Sequence, residues 1–120
     1  MERKISILIV DDEESVRDSL FSWFIEDNYR VECAESAKKA LSILESANFD
    51  IILADIKMPG MDGIELLQRI RELSRHVPVV LCTAYGEYKQ NLETWASDEY
   101  IVKSANLEGL MRKIERLLAK

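Results

Sequence analysis

Asp11 and Asp12 follow the apolar run Lys4 to Val10, and Asp55 ends a second such run that begins at Asp50. Thr83 ends a third, from Val77, and Lys103 ends a fourth, from Glu99. Each run has the length and apolar character of a β-strand. If their ends share one edge, three carboxylates, one hydroxyl and one ammonium meet there. Crowded carboxylates repel, so a divalent cation or the lysine must compensate. Oxygen donors alone suit Mg²⁺ or Mn²⁺ rather than zinc, and Mg²⁺ usually keeps one or two carboxylates, waters and a phosphate. The expected chemistry is therefore phosphate handling. A carboxylate beside such a cation can also attack phosphorus and become an aspartyl phosphate. Thr83 could donate a hydrogen bond to one phosphoryl oxygen, and Lys103 could act as a point charge on another. Each residue also has a plainer reading. The acidic run Asp11 to Glu14 could simply favour a helix dipole. Asp55 could cap a turn, and Thr83 and Lys103 could be ordinary strand-end residues. Their coincidence at four strand ends is what favours a site.

The elements that must position these residues alternate along the chain. Strand-like runs at Lys4–Val10, Tyr29–Ala34, Asp50–Asp55, Val77–Thr83 and Glu99–Lys103 are each followed by a helical pattern. Val16, Leu20, Trp23 and Phe24 have helical spacing, as do Ala37, Ala40, Leu41 and Leu44, with Ser36 as a candidate N-cap. A third helical run is Gly63–Ser74, a more polar fourth is Gly86–Ala96, and the last is Asn106–Lys120. Five βα units in series predict an α/β fold: a flavodoxin-like, doubly wound parallel sheet of strand order 2-1-3-4-5. Ligands bind such sheets at the C-terminal strand edge, where the chemical residues fall.

The composition sets bounds. The 120 residues, 48% of them hydrophobic, suit one domain with its own core, over residues 1–120. Acidic residues outnumber basic ones 22 to 16, which argues against direct binding to nucleic acid or to a membrane surface. No apolar run is long enough to span a bilayer, and the N-terminus lacks the pattern of a signal peptide. A cytoplasmic protein is expected. Cys33 and Cys82 are read as separate buried thiols. The predicted order puts their strands three places apart, roughly 14 Å, which is too far for a disulfide. His76 is expected in a surface loop.

Four stretches resemble the receiver domain of bacterial two-component response regulators, in an order and spacing that carry the resemblance over nearly the whole chain. "ILIVDDEESVRDSL" is similar to that family's first strand and acidic pair. "DIILADIKMPGMDGIELL" is similar to its phosphoacceptor strand and loop, with the specific string Asp-x-x-Met-Pro-x-Met-Asp-Gly. "VPVVLCTAYG" and "EYIVK" are similar to its fourth and fifth strands. The resemblance implies that Asp55 accepts a phosphoryl group from a histidine kinase or phosphotransfer protein. It implies Mg²⁺ as cofactor, bound by Asp12 directly, by Asp11 through a water, by Asp55 and by the backbone carbonyl of Lys57. Thr83 and Lys103 would hold the phosphoryl oxygens, and Thr83 and Tyr100 would form the switch. Output would pass through the face made by the fourth helix, the fifth strand and the last helix, to an effector domain or output protein. The domain would catalyse its own phosphorylation and dephosphorylation only. Asp62 would cap the third helix, in a turn fixed by Pro59, Gly60 and Gly63. Lys57 and Tyr85 would border the path of the water that hydrolyses the aspartyl phosphate.

The sequence departs from the family pattern in two places. Ser104 stands where a proline usually follows the lysine. The stretch from Thr83 to Lys103 is short and lacks the glycine usual before the fifth strand, which draws attention to Trp95 on the output face. Rival readings fit less well. A haloacid-dehalogenase-type phosphotransferase wants Asp-x-Asp after the first strand. A degenerate receiver tends to lose the acidic residues or the lysine. A flavodoxin wants a hydroxyl-rich phosphate loop, where "DDEES" would repel the ligand.

Overall fold

The structure, a computed structural model, describes residues 4–73, 76–83, 99–102 and 116, with 82, 83 and 99–102 described as backbone. The strands are β1 (Ser6–Val10), β2 (Arg30–Ala34), β3 (Ile51–Asp55), β4 (Val79–Thr83) and β5 (Glu99–Val102). The helices are α1 (Glu14–Glu26), α2 (Ala37–Leu44) and α3 (Gly63–Glu72). All strand pairs are parallel, in the order β2-β1-β3-β4-β5, so the expected flavodoxin-like topology is the one observed. The predicted helical runs 86–96 and 106–120, with Tyr85, Trp95, Lys103 and Ser104, lie outside the described residues except for Arg116.

Alternate residues of the central strands feed two cores, one on each face of the sheet. Leu8, Val10, Ile52, Ala54, Val79 and Leu81 pack with α2 and α3. Ile7, Ile9, Ile51, Leu53 and Val80 pack with Phe24 of α1. This is why β1 and β3 are apolar along their whole length: both faces are covered. β2 is an edge strand and exposes Arg30 and Glu32 while burying Val31 and Ala34. Phe24 is fully buried, which contributes about 1.5–3 kcal/mol relative to an exposed ring.

Helix ends set the lengths of the connections. α1 stops because Asn28 takes a left-handed conformation, with φ 67°. The Tyr29 N–H then donates to the Phe24 carbonyl at 3.0 Å, and Asn28 N–H to that of Ile25 at 3.1 Å, the paired bonds of a Schellman cap. The Phe24 and Tyr29 rings meet edge to face at 5.5 Å and seal that turn. α2 and α3 begin with the caps the sequence suggested. Ser36 Oγ accepts from Lys39 N–H at 3.1 Å, and Asp62 Oδ1 accepts from Glu65 N–H at 2.8 Å.

Candidate acidic site at the sheet edge

The register of β1 and β3 brings the aspartates together. Val10 pairs with Ala54, so Asp11 and Asp55 are the next residues on adjacent strands. One carboxylate oxygen from each of Asp11, Asp12 and Asp55 lies within 4.8 Å of the other two. Asp11 is 3% exposed and Asp55 5%, while Asp12 is open to solvent. Two buried carboxylates facing an accessible third make a cation site with an entrance.

The donor set fits a small hard cation. It offers only oxygen, and Mg²⁺–oxygen bonds of about 2.0–2.1 Å put opposite ligands about 4.2 Å apart. That span is close to the separation of these carboxylates, so Asp11, Asp12 and Asp55 can share one ion.

Asp11 is fixed at several atoms. Its N–H donates to Ala34 O at 3.1 Å, across to β2. Its Oδ1 accepts from Glu13 N–H at 2.9 Å. Its carbonyl accepts from Arg17 Nη1 at 2.7 Å. Asp55 is fixed from the opposite side by the start of α3. Gly63 N–H donates to Ile56 O at 2.8 Å. A Cβ on Gly63 would overlap the Asp55 carbonyl oxygen and stand 3.0 Å from both Asp55 C and Ile56 Cα. Gly63 is thus the first residue of α3, pressed against the acidic strand end. Gly60 is the loop residue that needs glycine's freedom, at φ 78°.

Of the remaining sequence candidates, Lys57 is exposed and lines a cleft of about 450 Å³ with Met58, Pro59, Gly60 and Asp62. Asp55 pairs with Cys82, so the backbone of Thr83 lies one residue further along β4, beside Val102. Tyr100 pairs with Leu81 in β5. Lys103 falls outside the described residues. Two residues that touch the site escaped the sequence reading: Arg17 and, in its packing role, Gly63. The signals for them were an arginine six residues after Asp11 and a glycine directly after a cap.

Cys33 lies on β2 and Cys82 on β4, three places apart, and Cys33 is a free thiol. Burial pushes the Cys33 thiol up, Arg17 draws it back, and Asp18 and Glu32 add to the rise. Cys33 is half-buried against the Phe24 core rather than fully buried as expected, because β2 is an edge strand. No described helix is long and apolar enough to cross a membrane.

The class is that of a doubly wound α/β domain with an oxygen-only carboxylate cluster at the C-terminal edge of its parallel sheet. The response regulator receiver domain model matches residues 7–115, and the chain belongs to that family. It is 36% identical over 114 residues to the regulatory protein AtoC of Escherichia coli, covering 93% of this chain and 25% of AtoC. It is 35% identical over 116 residues to the transcriptional regulatory protein ResD of Bacillus subtilis, covering 95% of this chain and 48% of ResD. The chain thus spans half or less of these curated relatives. Among solved structures, the response regulator TrrA of Thermotoga maritima, in complex with Mg²⁺-BeF, superposes with a TM-score of 0.88 at 39% identity, over 94% of this chain and 98% of TrrA. TrrA in complex with the histidine kinase ThkA gives 0.86 at 38% identity, over 95% and 98%.

Proposed function

We propose that this protein is a phosphorylatable signalling receiver, over residues 1–120, whose phosphoacceptor is Asp55. The observation that supports this best is the cluster of Asp11, Asp12 and Asp55 carboxylates within 4.8 Å at the sheet edge. An Asp55 oxygen attacks the phosphorus of a phosphohistidine on a histidine kinase or phosphotransfer protein. The P–O bond forms as the P–N bond breaks, and the imidazole nitrogen leaves with the bonding pair. Dephosphorylation restores the Asp55 carboxylate: water attacks phosphorus, the P–O bond to Asp55 breaks with its pair left on the carboxylate, and inorganic phosphate departs with the water's oxygen and proton. The domain catalyses these two steps on itself and turns over no other substrate.

Asp12 would hold Mg²⁺ directly, Asp11 would hold it through a water, and Asp55 and the Lys57 carbonyl would supply the rest of the protein's share. When bound, Mg²⁺ neutralises the carboxylates and the oxygens of the incoming phosphoryl group. Thr83 and Lys103 take the other phosphoryl oxygens. Thr83 and Tyr100 couple occupancy of the site to a pre-existing two-state equilibrium. The output face is that of residues 86–96, β5 and residues 106–120. The Mg²⁺-BeF and ThkA complexes of TrrA support the cation and the kinase for this chain. The regulatory names of AtoC and ResD support an effector domain or output protein beyond it. We place the protein in the cytoplasm, with no direct contact to nucleic acid or membrane through this domain.

The test is incubation with acetyl phosphate and Mg²⁺, read by intact mass. The parent gains one acid-labile phosphoryl group and Asp55→Asn gains none, because an amide keeps the volume but not the nucleophile. Circular dichroism of the two is the same. Equal phosphorylation of the Asn variant would move the acceptor to another residue.

A further inference from the structure

Arg17 sits in the first turn and a half of α1, and its guanidinium reaches back to the Asp11 carbonyl at 2.7 Å. That carbonyl and the Asp12 N–H belong to one planar peptide unit. Fixing the carbonyl therefore fixes the plane from which the Asp12 side chain departs. Asp11 is held on its strand side through its N–H to Ala34, and its Oδ1 reaches forward across Asp12 to accept from Glu13 N–H, so Arg17 adds the hold on the carbonyl between them. The 11–12 peptide is the joint between that anchored residue and the exposed Asp12. Arg17 is itself half-buried, so this charge-assisted bond forms away from bulk water.

We propose that Arg17 is a positioning residue for the cation: it latches the Asp11–Asp12 peptide so that both carboxylates are set before the ion arrives. The proposal rests on the Mg²⁺ reading above. Two opposite effects act on the ion. The positive charge of Arg17, close to the acidic cluster, weakens cation binding by repulsion. The latch strengthens it by removing the freedom of Asp12, in the way that outer partners of metal ligands commonly do. The proposal holds that the latch is the larger effect, so losing Arg17 weakens cation binding.

The experiment is Mg²⁺ titration by calorimetry of the parent, Arg17→Met and Arg17→Lys, each also melted in chelator. Methionine keeps the stem's packing and loses both charge and donors. Lysine keeps the charge but offers a shorter, single-point donor. The latch predicts weaker Mg²⁺ binding than the parent in both variants, in Met by roughly tenfold. An Arg17→Met protein that binds Mg²⁺ as tightly as the parent, or more tightly, overturns it. Should Arg17→Met fail to fold, Arg17→Lys decides, and affinity equal to the parent overturns the latch. A parent that binds no Mg²⁺ overturns the metal reading instead. The latch is then judged by amide exchange at residues 11–13 in chelator, where it requires faster exchange in Arg17→Lys, and an unchanged rate overturns it.

Discussion

The starts of α1 and α3 follow the two strand ends that carry the acidic residues, yet they are built differently. α3 begins with a side-chain cap from Asp62, a buried glycine against the Asp55 backbone, and the Gly63 N–H to Ile56 O bond. α1 begins at Glu13, in extended conformation, with no side-chain cap bond. Its entrance is tied by Asp11 Oδ1 and by the Arg17 guanidinium, and Asp12 is left exposed. Close backbone packing at Gly63 marks the Asp55 end, whereas the Asp11–Asp12 end adds the Asp11 Oδ1 and Arg17 hydrogen bonds to the backbone bond with Ala34. The difference suits the proposed roles, an acceptor held still and a cation that enters from water.

The first way to break this comparison is at the open end. Asp12→Ala removes the accessible ligand and leaves the packed strands alone. Mg²⁺ at a hundred times its dissociation constant should stabilise the parent by about 2.7 kcal/mol, by binding the folded state only. Most of that gain should vanish in Asp12→Ala. In chelator the variant should be as stable as the parent or a few tenths of a kcal/mol more so, since one of three crowded charges is gone. Thermal melts with and without Mg²⁺ check both arms. An undiminished Mg²⁺ shift in the variant would place the ion away from Asp12.

The packed end answers to Gly63→Ala. The new methyl overlaps the Asp55 carbonyl, and neither β3 nor the first turn of α3 can yield without moving Asp55. Overpacking of this kind costs about 1–3 kcal/mol. Beryllofluoride with Mg²⁺, a phosphoryl mimic, should also bind more weakly. Gly60→Ala is the control. Its φ is 78° with open space around it, so it should cost about 1 kcal/mol from the backbone and leave the packing on Asp55 intact. Urea unfolding and mimic titration of the pair check this. If Gly63→Ala binds the mimic as well as Gly60→Ala does, the glycine contact is not what fixes Asp55.

These two ends also divide what the sequence reveals from what it conceals. Apolar runs of strand length gave away β1 and β3, because strands covered on both faces leave no polar position to blur the pattern. The alternation of strands and helices led to the sheet order, and the order alone placed Asp11 and Asp55 side by side. Ser36 and Asp62 were legible as caps because capping is local, three residues in reach. The strand starts were less legible: apolar character runs back to Ile5 and Val77, but the strands begin at Ser6 and Val79. In α1 the spacing marked Val16, Leu20, Trp23 and Phe24 as one stripe, and Phe24 is the one fully buried, the others being half-buried. It gave no warning that Phe21 and Ile25 stand 40% and 46% exposed. Arg17 and Gly63 were concealed for a different reason. Their partners are backbone carbonyls, and a carbonyl leaves no trace in residue identity. Gly63 read as one more turn glycine because adjacency to Gly60 suggested a shared cause, when one serves a positive φ and the other a close approach.

The finest test asks whether α3's start is held by a bond or by a charge. α1 starts with charge and no cap bond, through Glu13 and Glu14, whereas α3 has both in Asp62. Asp62→Ala removes both and should cost about 1 kcal/mol, the usual loss for an N-cap. Asp62→Asn keeps an oxygen that can accept from Glu65 N–H and drops only the interaction with the helix dipole. At an exposed helix end that interaction is worth a few tenths of a kcal/mol and is screened by salt. The Asn variant should therefore unfold within about 0.5 kcal/mol of the parent, closer still at high ionic strength. Urea unfolding in chelator at two salt concentrations measures it without interference from the ion. If Asn costs as much as Ala at low salt, and both recover at high salt, charge rather than geometry anchors α3. Both helix starts would then draw on charge, and they would differ in Gly63 at α3 and in the Asp11 Oδ1 and Arg17 hydrogen bonds at α1.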